Sequence, residues 1–515
     1  MDAIHKDRNG PQPASLDGLL ARIRFAIREG DLTAFLVLAL LITAFRLVAL
    51  AFNGTDLYVD EAQYWTWSRN LALGYFSKPP LIAWIIHGAT TVCGHGETCV
   101  RLPSVALHLV TTLLVYFLGR RLYSPQVGFW SGLAYALLPA VSLSSGIIST
   151  DVPLLAAWAL ALFAFTGLLA APSIADTLLL ALALGLGLNA KYAMAYFVLC
   201  AAIYFLAVPD HRDRLKQPHL WVALAGGLAL ITPNILWNVA NGFVTFSHTA
   251  DNAKWSGIPF HPDKAGEFFL AQFGVFGPIL FGAFLVILWR TAKTSAKTSD
   301  ADKLLIAFSV PIIALVTAQG LASRAHANWA APAYVAAVVL VTATMLRNRD
   351  WSWMRASFAL HAIIALLLAV ATWQAGRLAL PVIGDPFART LGNRELAEAV
   401  KSEIAISATN GQPIGSILTD DRDVAAALTY YARDAGVQIF AWRNSSAPRS
   451  QYEIENPFSA SSPMPALLVS PNASSSLIKQ FGSVTAQRTV QIPAGNYASR
   501  RTTFAFLTRF RAGKP

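Results

Sequence analysis

Residues 32–61 read LTAFLVLALLITAFRLVALAFNGTDLYVDE, and this stretch decides the fold. It begins with an apolar run of roughly 20 residues, the length that an α-helix needs to cross a hydrocarbon core about 30 Å thick. Two adjacent carboxylates, Asp60 and Glu61, follow shortly after the run. The stretch therefore predicts a membrane-spanning helix that carries an acidic pair to the water boundary at its far end.

The composition extends this prediction to most of the chain. Of the 515 residues, 55% are hydrophobic and 13% are charged, and the mean hydropathy is +0.47. This chain is too apolar for a soluble globular protein, so its apolar residues must face lipid. The formal net charge is +11, but the basic residues sit in short loops between apolar runs. Orientation in a membrane explains them better than a nucleic-acid partner does.

Apolar runs recur to about residue 376 and predict a polytopic α-helical membrane protein with about eleven spans. The predicted spans lie near 32–52, 103–121, 127–145, 152–170, 176–190, 192–208, 219–239, 268–290, 304–322, 330–346 and 356–376. Arginine and lysine concentrate in the loops on the side where the chain starts, which places the amino terminus in the cytoplasm. An odd number of spans then places the segment after the last span outside.

The chain is expected to divide into a cytoplasmic segment at 1–31, a membrane domain at 32–379 and a small outer α/β domain at 380–515. Alternating and periodic apolar residues predict the elements of the outer domain. These are strands at 414–419, 437–442 and 466–470 and a helix at 422–434. No phosphate-binding glycine pattern opens this helix, so nucleotide binding is not expected there. Its aspartates favour an N-terminal cap instead.

The first outer loop, 53–101, has about 50 residues and is too long to be an ordinary connection between neighbouring spans. Asp60 and Glu61 open it, and aromatic residues such as Tyr64 follow them. One interpretation is a helix start with acidic residues and an aromatic belt at the membrane interface. The other is a catalytic acidic pair. Both stay open on the shape of this pattern alone.

Two further charged positions fall on the same side of the membrane. Lys78 lies in the sequence GYFSKPP at 74–80, where two prolines restrict the backbone beside a compact cation that suits a phosphate oxygen. Asp151 lies where the chain re-enters the membrane, a costly place for an unused carboxylate. The alternatives are a lysine that reaches lipid headgroups and an aspartate that caps a helix.

Weaker candidates come from three other outer positions. Lys191 lies between two short predicted spans, and the remaining ones lie in loops that mix cations with aromatic residues. Such mixtures occur in sugar and phosphate sites and equally in interfacial anchors. The loop candidates are His248, Lys254, Arg324 and His326.

Cys93 and Cys99 lie in the same outer loop, six positions apart. In an oxidising compartment, two cysteines at this spacing predict a disulfide. A metal site that also uses His95 and Glu97 is the alternative.

The motifs of the first loop resemble those of membrane-embedded lipid-carrier glycosyltransferases. They read DEAQYW at 60–65, GYF at 74–76, KPPL at 78–81 and RLP at 101–103. The resemblance is to the bacterial aminoarabinose transferases that modify lipid A and to their galacturonic-acid-transferring relatives. These belong to the protein O-mannosyltransferase superfamily and share the GT-C fold. The specific motifs cover roughly the first 240 residues, and the rest is similar in architecture only.

The resemblance implies a catalytic site on the periplasmic side of a bacterial inner membrane. Asp60 is the implied catalytic carboxylate, with Glu61 and Asp151 as further acidic residues. Lys78 is the implied contact to the donor phosphate, and Lys191 and Arg324 are further cations for it. We expect weaker substrate contacts from the remaining aromatic and polar candidates of the outer side. These are Tyr64, Tyr75, His248, Lys254 and His326.

The implied donor is a polyprenyl-phosphate sugar, and the implied acceptor is lipid A, the lipopolysaccharide core or another envelope glycan. Relatives in the aminoarabinose branch carry a glutamate just before the motif lysine, where Ser77 stands here. No cofactor is therefore expected with certainty, and a divalent metal stays possible.

Two other functions remain open. A lipid-linked sugar transporter or flippase would also have many spans, but it usually places ionisable or helix-breaking residues near mid-bilayer in matching halves. Here the acidic residues gather at one face. A sensor whose outer domain binds a ligand is the second alternative, and for it changes at Asp60 and Lys78 would have no effect.

Overall fold

The computed structural model describes residues 29–253, 260–293, 298–380, 384–445 and 447–511. Lys254, one of the predicted substrate contacts, lies outside the described residues. The amino-terminal three quarters of the chain are helical, and the carboxy-terminal part contains a β-sheet.

The α-helices of the membrane domain follow one another with short connections. They are α1 Leu32–Ala51, α2 Val59–Arg69, α3 Leu81–Cys93, α4 Glu97–Leu122, α5 Pro125–Leu137, α6 Pro139–Ser144, α7 Asp151–Ala170, α8 Ile174–Ala190, α9 Tyr196–Ala207, α10 Pro218–Ala240, α11 Val244–Ala253, α12 Pro262–Val275, α13 Pro278–Lys293, α14 Asp300–Ala307, α15 Val310–Ala322, α16 Ala333–Arg347 and α17 Trp351–Trp373.

Six of the described helices are long and apolar enough to cross a membrane, counting α14 and α15 together, and a seventh is added if α12 and α13 form one span. Four shorter apolar helices lie at Leu81–Cys93, Ile174–Ala190, Tyr192–Ala207 and Ala333–Arg347. Length and composition alone do not decide whether these shorter helices cross. The predicted number of about eleven spans stays a prediction.

Three predicted spans are interrupted in the structure. The span at 268–290 is wrong as a straight helix, because α12 and α13 meet at an angle of 115°. Gly277 lies at this bend with φ +91°, a conformation that favours glycine. The span at 127–145 breaks where Pro139 forces Leu138 into an extended conformation, and the span at 304–322 breaks at Phe308 and Ser309.

The centre of the membrane domain is α7, which is buried over 78% of its most apolar window. The outer helices α1 and α17 are buried over 22% and 17% of theirs, so they expose most of their surface to lipid. Because Asp151 is the first residue of α7, it starts the most enclosed helix of the domain. This arrangement fixes one carboxylate at the central axis.

The carboxy-terminal domain comprises residues 384–511 of the described chain. Its strands form one five-stranded sheet in the order β2-β1-β3-β5-β4, in which β2, β1 and β3 are parallel and β5 and β4 are antiparallel to their neighbours. The elements are α18 Asn393–Thr409, β1 Ser416–Thr419, α19 Arg422–Tyr431, β2 Gln438–Ala441, α20 Gln451–Glu455, β3 Ala466–Ser470, α21 Ser475–Ile478, β4 Phe481–Pro493 and β5 Ser499–Phe510.

The three predicted strands and the predicted helix of this domain are present. The Asp421 carboxylate accepts hydrogen bonds from the backbone N–H groups of Asp423 and Val424 at 2.8 and 3.0 Å, so the aspartate cluster does cap α19. The hairpin of β4 and β5 and the helix α18 were not predicted from the sequence.

The carboxy-terminal domain rests on the first outer loop. The Leu57 N–H donates to the Tyr431 hydroxyl at 2.6 Å, and the Asn393 N–H donates to the Asp56 carboxylate at 2.9 Å. The Tyr430 hydroxyl donates to the His95 carbonyl oxygen at 2.7 Å. The domain therefore contacts the loop that carries the predicted catalytic residues.

Gly74 marks a close approach between that loop and α10. A Cβ at this position would lie 2.8 Å from Asn234 Nδ2 and closer still to the Trp237 ring. We expect Gly74→Ala to destabilise the protein by about 1–3 kcal/mol, because the loop must move away from α10. Thermal unfolding of the purified protein in detergent measures this.

Gly88→Ala in α3 is the matched control, because a Cβ there meets nothing within 4 Å. We expect this control to unfold at or slightly above the wild-type temperature. A Gly74→Ala variant as stable as the control would contradict the close packing.

Candidate active site

A buried ion pair holds the start of α2. Arg101 Nη2 lies 2.7 Å from Glu61 Oε2 and Arg101 Nε lies 2.9 Å from Glu61 Oε1, and both side chains are almost fully buried. The same guanidinium donates to the carbonyl oxygens of Thr55 and Asp56 at 3.1 and 2.7 Å. Arg101 thus closes the first outer loop from its beginning to its end.

Glu61 is predicted to be catalytic, and the structure corrects this. Besides Arg101, its oxygens accept the N–H groups of Ile148 at 2.9 Å and of Tyr58 at 2.8 Å. Four hydrogen bonds fill the acceptor positions of a carboxylate. Glu61 therefore positions the residues around it, and it has no oxygen left for a substrate.

Asp60, next to Glu61, faces a cavity instead. Its Oδ1 lies 3.1 Å from Arg422 Nη1, and its side chain is 44% exposed. The cavity has a volume of about 300 Å³ and is called the active-site cavity below. It is lined by Asp60, Gln63, Phe76, Ser77, Lys78, His248, Arg422 and Arg449.

Lys78 reaches the active-site cavity from a loop that is held on three sides. The Tyr75 N–H donates to the Lys78 carbonyl oxygen at 3.2 Å, the Thr245 hydroxyl donates to the Tyr75 carbonyl oxygen at 2.7 Å, and the Phe76 N–H donates to Gln451 Oε1 at 2.7 Å. Burial lowers the pKa of the Lys78 ammonium, and the neighbouring Lys191 lowers it further. No hydrogen bond or ion pair to this ammonium occurs within the described part of the chain, which suits a group that binds an anion.

Asp151 and Lys191 form an ion pair of 2.6 Å beside the active-site cavity. The other carboxylate oxygen of Asp151 accepts from Asn328 Nδ2 at 2.6 Å. Lys191 is therefore neutralised, in contrast to the free phosphate-binding cation that we predicted. Burial lowers the pKa of His326, and so do the nearby Arg324 and Lys191. The weaker cationic candidates thus gather around Asp151.

The aromatic and histidine candidates have different surroundings. Tyr75 is fully buried, and its hydroxyl donates to the carbonyl oxygens of Trp67 and Asn70 at 3.0 Å, which corrects its predicted role as a substrate contact. Tyr64 is buried, and burial raises its pKa well above the usual value, with Asp60 adding to the rise. His248 lines the cavity, and burial together with Lys78 lowers its pKa to about 4, so it is neutral at neutral pH.

Cys93 and Cys99 are joined in a disulfide, as the sequence predicts. Both ring nitrogens of His95 have partners, since Trp65 Nε1 lies 3.2 Å from Nδ1 and Arg69 Nη1 lies 3.0 Å from Nε2. His95 is therefore committed to packing the loop.

The residues around Ser77 do not fit a divalent metal. The Ser77 hydroxyl lies 3.5 Å from Gln63 Nε2, an amide donor, and the carboxylate of the cavity, Asp60, is paired with Arg422. Within the described ranges, no three His, Cys, Asp or Glu side chains cluster as a metal site would require. We derive no step through a metal.

Three arginines of the site were missed by the sequence reasoning. Arg101 was noted only within the RLP motif, and a buried cation between polar loops has no signal beyond its presence in an apolar region. Arg422 and Arg449 come from the carboxy-terminal domain. Arg422 follows the cap residue of α19, so its helix was predicted, but its approach to Asp60 was not.

The fold and the site define a membrane-embedded glycosyltransferase of the GT-C class. The family model described as dolichyl-phosphate-mannose-protein mannosyltransferase matches residues 77–237. The lipid A galacturonosyltransferase RgtD of Rhizobium johnstonii is 38% identical over 422 residues, which cover 82% of this chain and 87% of that protein. This chain belongs to the GT-C glycosyltransferase family that contains RgtD.

Two other comparisons agree with this family. The lipopolysaccharide core galacturonosyltransferase RgtA of the same organism is 30% identical over 36% of this chain and 38% of that protein. The structure of ArnT from Cupriavidus metallidurans bound to undecaprenyl phosphate superposes with a TM-score of 0.63 at 17% identity, over 92% of this chain and 98% of that one. The similarity to ArnT shows the fold.

Replacing Glu61 tests the buried ion pair. Glu61→Gln keeps the size of the side chain but leaves the Arg101 charge buried without a counter-ion. We expect a loss of about 3–5 kcal/mol of stability and a melting temperature lower by several degrees. Thermal unfolding in detergent measures the difference.

Glu398→Gln is the control, because Glu398 pairs with Lys401 at 3.2 Å on the surface, where the loss is expected to stay below about 1 kcal/mol. Equal melting temperatures for the two variants would show that the Glu61 pair does not support the site.

Proposed function

We propose that the protein transfers a uronic acid from a polyprenyl-phosphate donor to a lipid A-type acceptor at the periplasmic face of the inner membrane. The observation that carries this proposal is that Asp60 and Lys78 line one cavity at the end of the first outer loop. One is a carboxylate that can take a proton, and the other is a cation that can hold a phosphate. Both groups are required to move a sugar off a lipid phosphate.

The position of the site across the membrane supports the periplasmic assignment. Arg101 lies near the start of α4, and Arg120 and Arg121 lie in its last turn. At 1.5 Å per residue these two ends are roughly 30 Å apart, the thickness of a hydrocarbon core. Positively charged loops favour the cytoplasm, so the end with Arg101 and the active-site cavity faces the periplasm.

Lys78 is proposed to bind the donor phosphate. When the sugar leaves, negative charge develops on the phosphate oxygen of the broken bond, and a fixed cation nearby stabilises it. The lowered pKa of the free ammonium reflects its burial, and an anionic ligand would compensate for this cost. The leaving group is thereby made acceptable without a cofactor in the derivation.

Asp60 is proposed to act as the general base. An acceptor hydroxyl or phosphate oxygen attacks the anomeric carbon, and its proton passes to the Asp60 carboxylate. The bond between the anomeric carbon and the phosphate oxygen breaks, and its electron pair leaves with the polyprenyl phosphate. Attack from the side opposite the phosphate inverts the anomeric configuration. Arg422 keeps Asp60 ionised until the acceptor arrives.

The substrates are proposed from the relatives. RgtD and RgtA carry names of galacturonosyltransferases acting on lipid A and on the lipopolysaccharide core, and RgtD covers most of this chain. The aminoarabinose transferase of Pseudomonas aeruginosa is 32% identical over only 31% of this chain. These coverages favour the uronic acid over the amino sugar. The alternative is a transporter of the lipid-linked sugar that performs no transfer.

Asp60→Asn separates transfer from transport. We expect the variant to lose transfer by about 10²- to 10⁴-fold, because the amide cannot accept the proton. The measurement uses membranes that contain the variant, labelled polyprenyl-phosphate galacturonic acid and lipid A, and follows the label into lipid A. Lys78→Gln is expected to lose activity as well, because the leaving phosphate loses its cation.

Asp213→Asn serves as the control, because Asp213 is an exposed residue paired with Lys216 in the 3₁₀ segment Pro209–Lys216. It is expected to retain wild-type transfer. Transfer by Asp60→Asn at the wild-type rate would overturn the proposed base. Movement of the donor across the membrane without any transfer by the wild type would favour the transporter.

A further inference from the structure

Two domains build the active-site cavity together. Six of its lining residues belong to the membrane domain, and two arginines, Arg422 and Arg449, belong to the carboxy-terminal domain. These arginines lie more than 300 positions after Asp60 in the sequence, so only the docking of the two domains brings them there. The cavity wall opposite the membrane is therefore made by the carboxy-terminal domain.

The arginines are held in place by defined contacts. Arg422 is the first residue of α19, and the capping contacts of Asp421 fix its backbone. Arg449 precedes α20, whose Gln451 accepts the Phe76 N–H at 2.7 Å. The Tyr452 hydroxyl lies 3.3 Å from the Thr66 hydroxyl of α2. Both arginines thus approach the cavity from segments anchored on the loop that carries Lys78.

The charges that line the cavity do not balance. Lys78, Arg422 and Arg449 are cations, whereas Asp60 is the carboxylate of the lining and His248 is neutral at neutral pH. Arg422 is shared between Asp60 at 3.1 Å and Asp423 at 3.5 Å. The guanidinium of Arg449 has neither a hydrogen bond nor an ion pair within the ranges that the structure describes.

This imbalance matches a donor that carries two negative charges. The phosphodiester of the donor supplies one, which we assigned to Lys78. A neutral sugar would leave the Arg449 guanidinium without a counter-ion, and an amino sugar would add a further positive charge. A uronic acid carries a carboxylate on the ring, and a guanidinium binds a carboxylate through two parallel hydrogen bonds.

We propose that Arg449, with Arg422 beside it, is the specificity-determining residue that binds the sugar carboxylate, so that the carboxy-terminal domain selects the donor sugar. This inference rests on the proposed function, because it assumes a lipid-linked uronic acid. It assigns a role to the carboxy-terminal domain that anchoring or binding elsewhere would not require. Arg422 also contacts Asp60, so Arg449 offers the cleaner test.

The experiment compares two donors that differ only at the carboxylate. Purified wild type and Arg449→Gln are given polyprenyl-phosphate galacturonic acid or polyprenyl-phosphate galactose, with the same lipid A acceptor, and kcat and KM are measured for each. We expect the wild type to prefer the uronic acid. For Arg449→Gln we expect kcat/KM to fall about 10- to 100-fold with the uronic acid, mainly through KM, and to stay unchanged with galactose.

Arg443→Gln is the matched control, because Arg443 is an exposed arginine of the same domain that does not line the cavity. Its preference should equal that of the wild type. Arg449→Lys should restore part of the preference, since it returns the charge without the two parallel hydrogen bonds.

Four results would separate the possibilities. An equal fall with both donors would overturn the inference, because Arg449 would then serve the acceptor phosphate or the stability of the fold. No change with either donor would overturn it too. A wild type that uses galactose as well as the uronic acid would contradict carboxylate recognition and leave the transferase intact. A wild type that transfers neither sugar would contradict the proposed function itself.

Discussion

The structure depends on one buried ion pair, between Glu61 and Arg101. Through Arg101 it ties the residues around Thr55 and Asp56 to the start of α4, and through Glu61 it binds the Ile148 N–H. Ile148 lies three positions before Asp151, so the same carboxylate sets the start of α7 relative to Asp60. A buried pair of charges is costly unless every polar atom has a partner, and here the carboxylate accepts four hydrogen bonds. The residues that surround the cavity are therefore fixed by a residue that does not face it.

The same region links the two domains. The Asp56 carboxylate accepts the Asn393 N–H, and Arg394 bridges Asp56 at 3.6 Å and Glu97 at 2.9 Å. Glu97 in turn accepts the Tyr431 hydroxyl of α19, and α19 begins with Arg422, the partner of Asp60. The first outer loop is thus both the floor of the cavity and the surface on which the carboxy-terminal domain docks. A change in that docking would alter the charge next to the proposed base.

The sequence predicts the parts of this fold that depend on local composition. Apolar runs identify the membrane domain, the acidic cap locates α19, and the spacing of Cys93 and Cys99 gives the disulfide. It fails where two structures share one composition: the runs at 127–145 and 268–290 are equally apolar whether straight or broken, and a proline or a glycine with positive φ decides between them. The pairing of Glu61 with Arg101 and of Asp60 with Arg422 joins residues far apart in sequence, and no local pattern reveals it. Tyr75 and Lys191 have the right chemistry for substrates, but internal partners already occupy them.

The central claim is that Asp60 and Lys78 act on opposite sides of the bond between a sugar and its lipid phosphate. An experimental structure of this protein with polyprenyl phosphate bound tests it most directly. The account predicts a phosphate oxygen about 3 Å from Lys78 Nζ, within the cavity that Asp60 lines. A phosphate bound elsewhere, with the Lys78 ammonium still unpartnered, would contradict it.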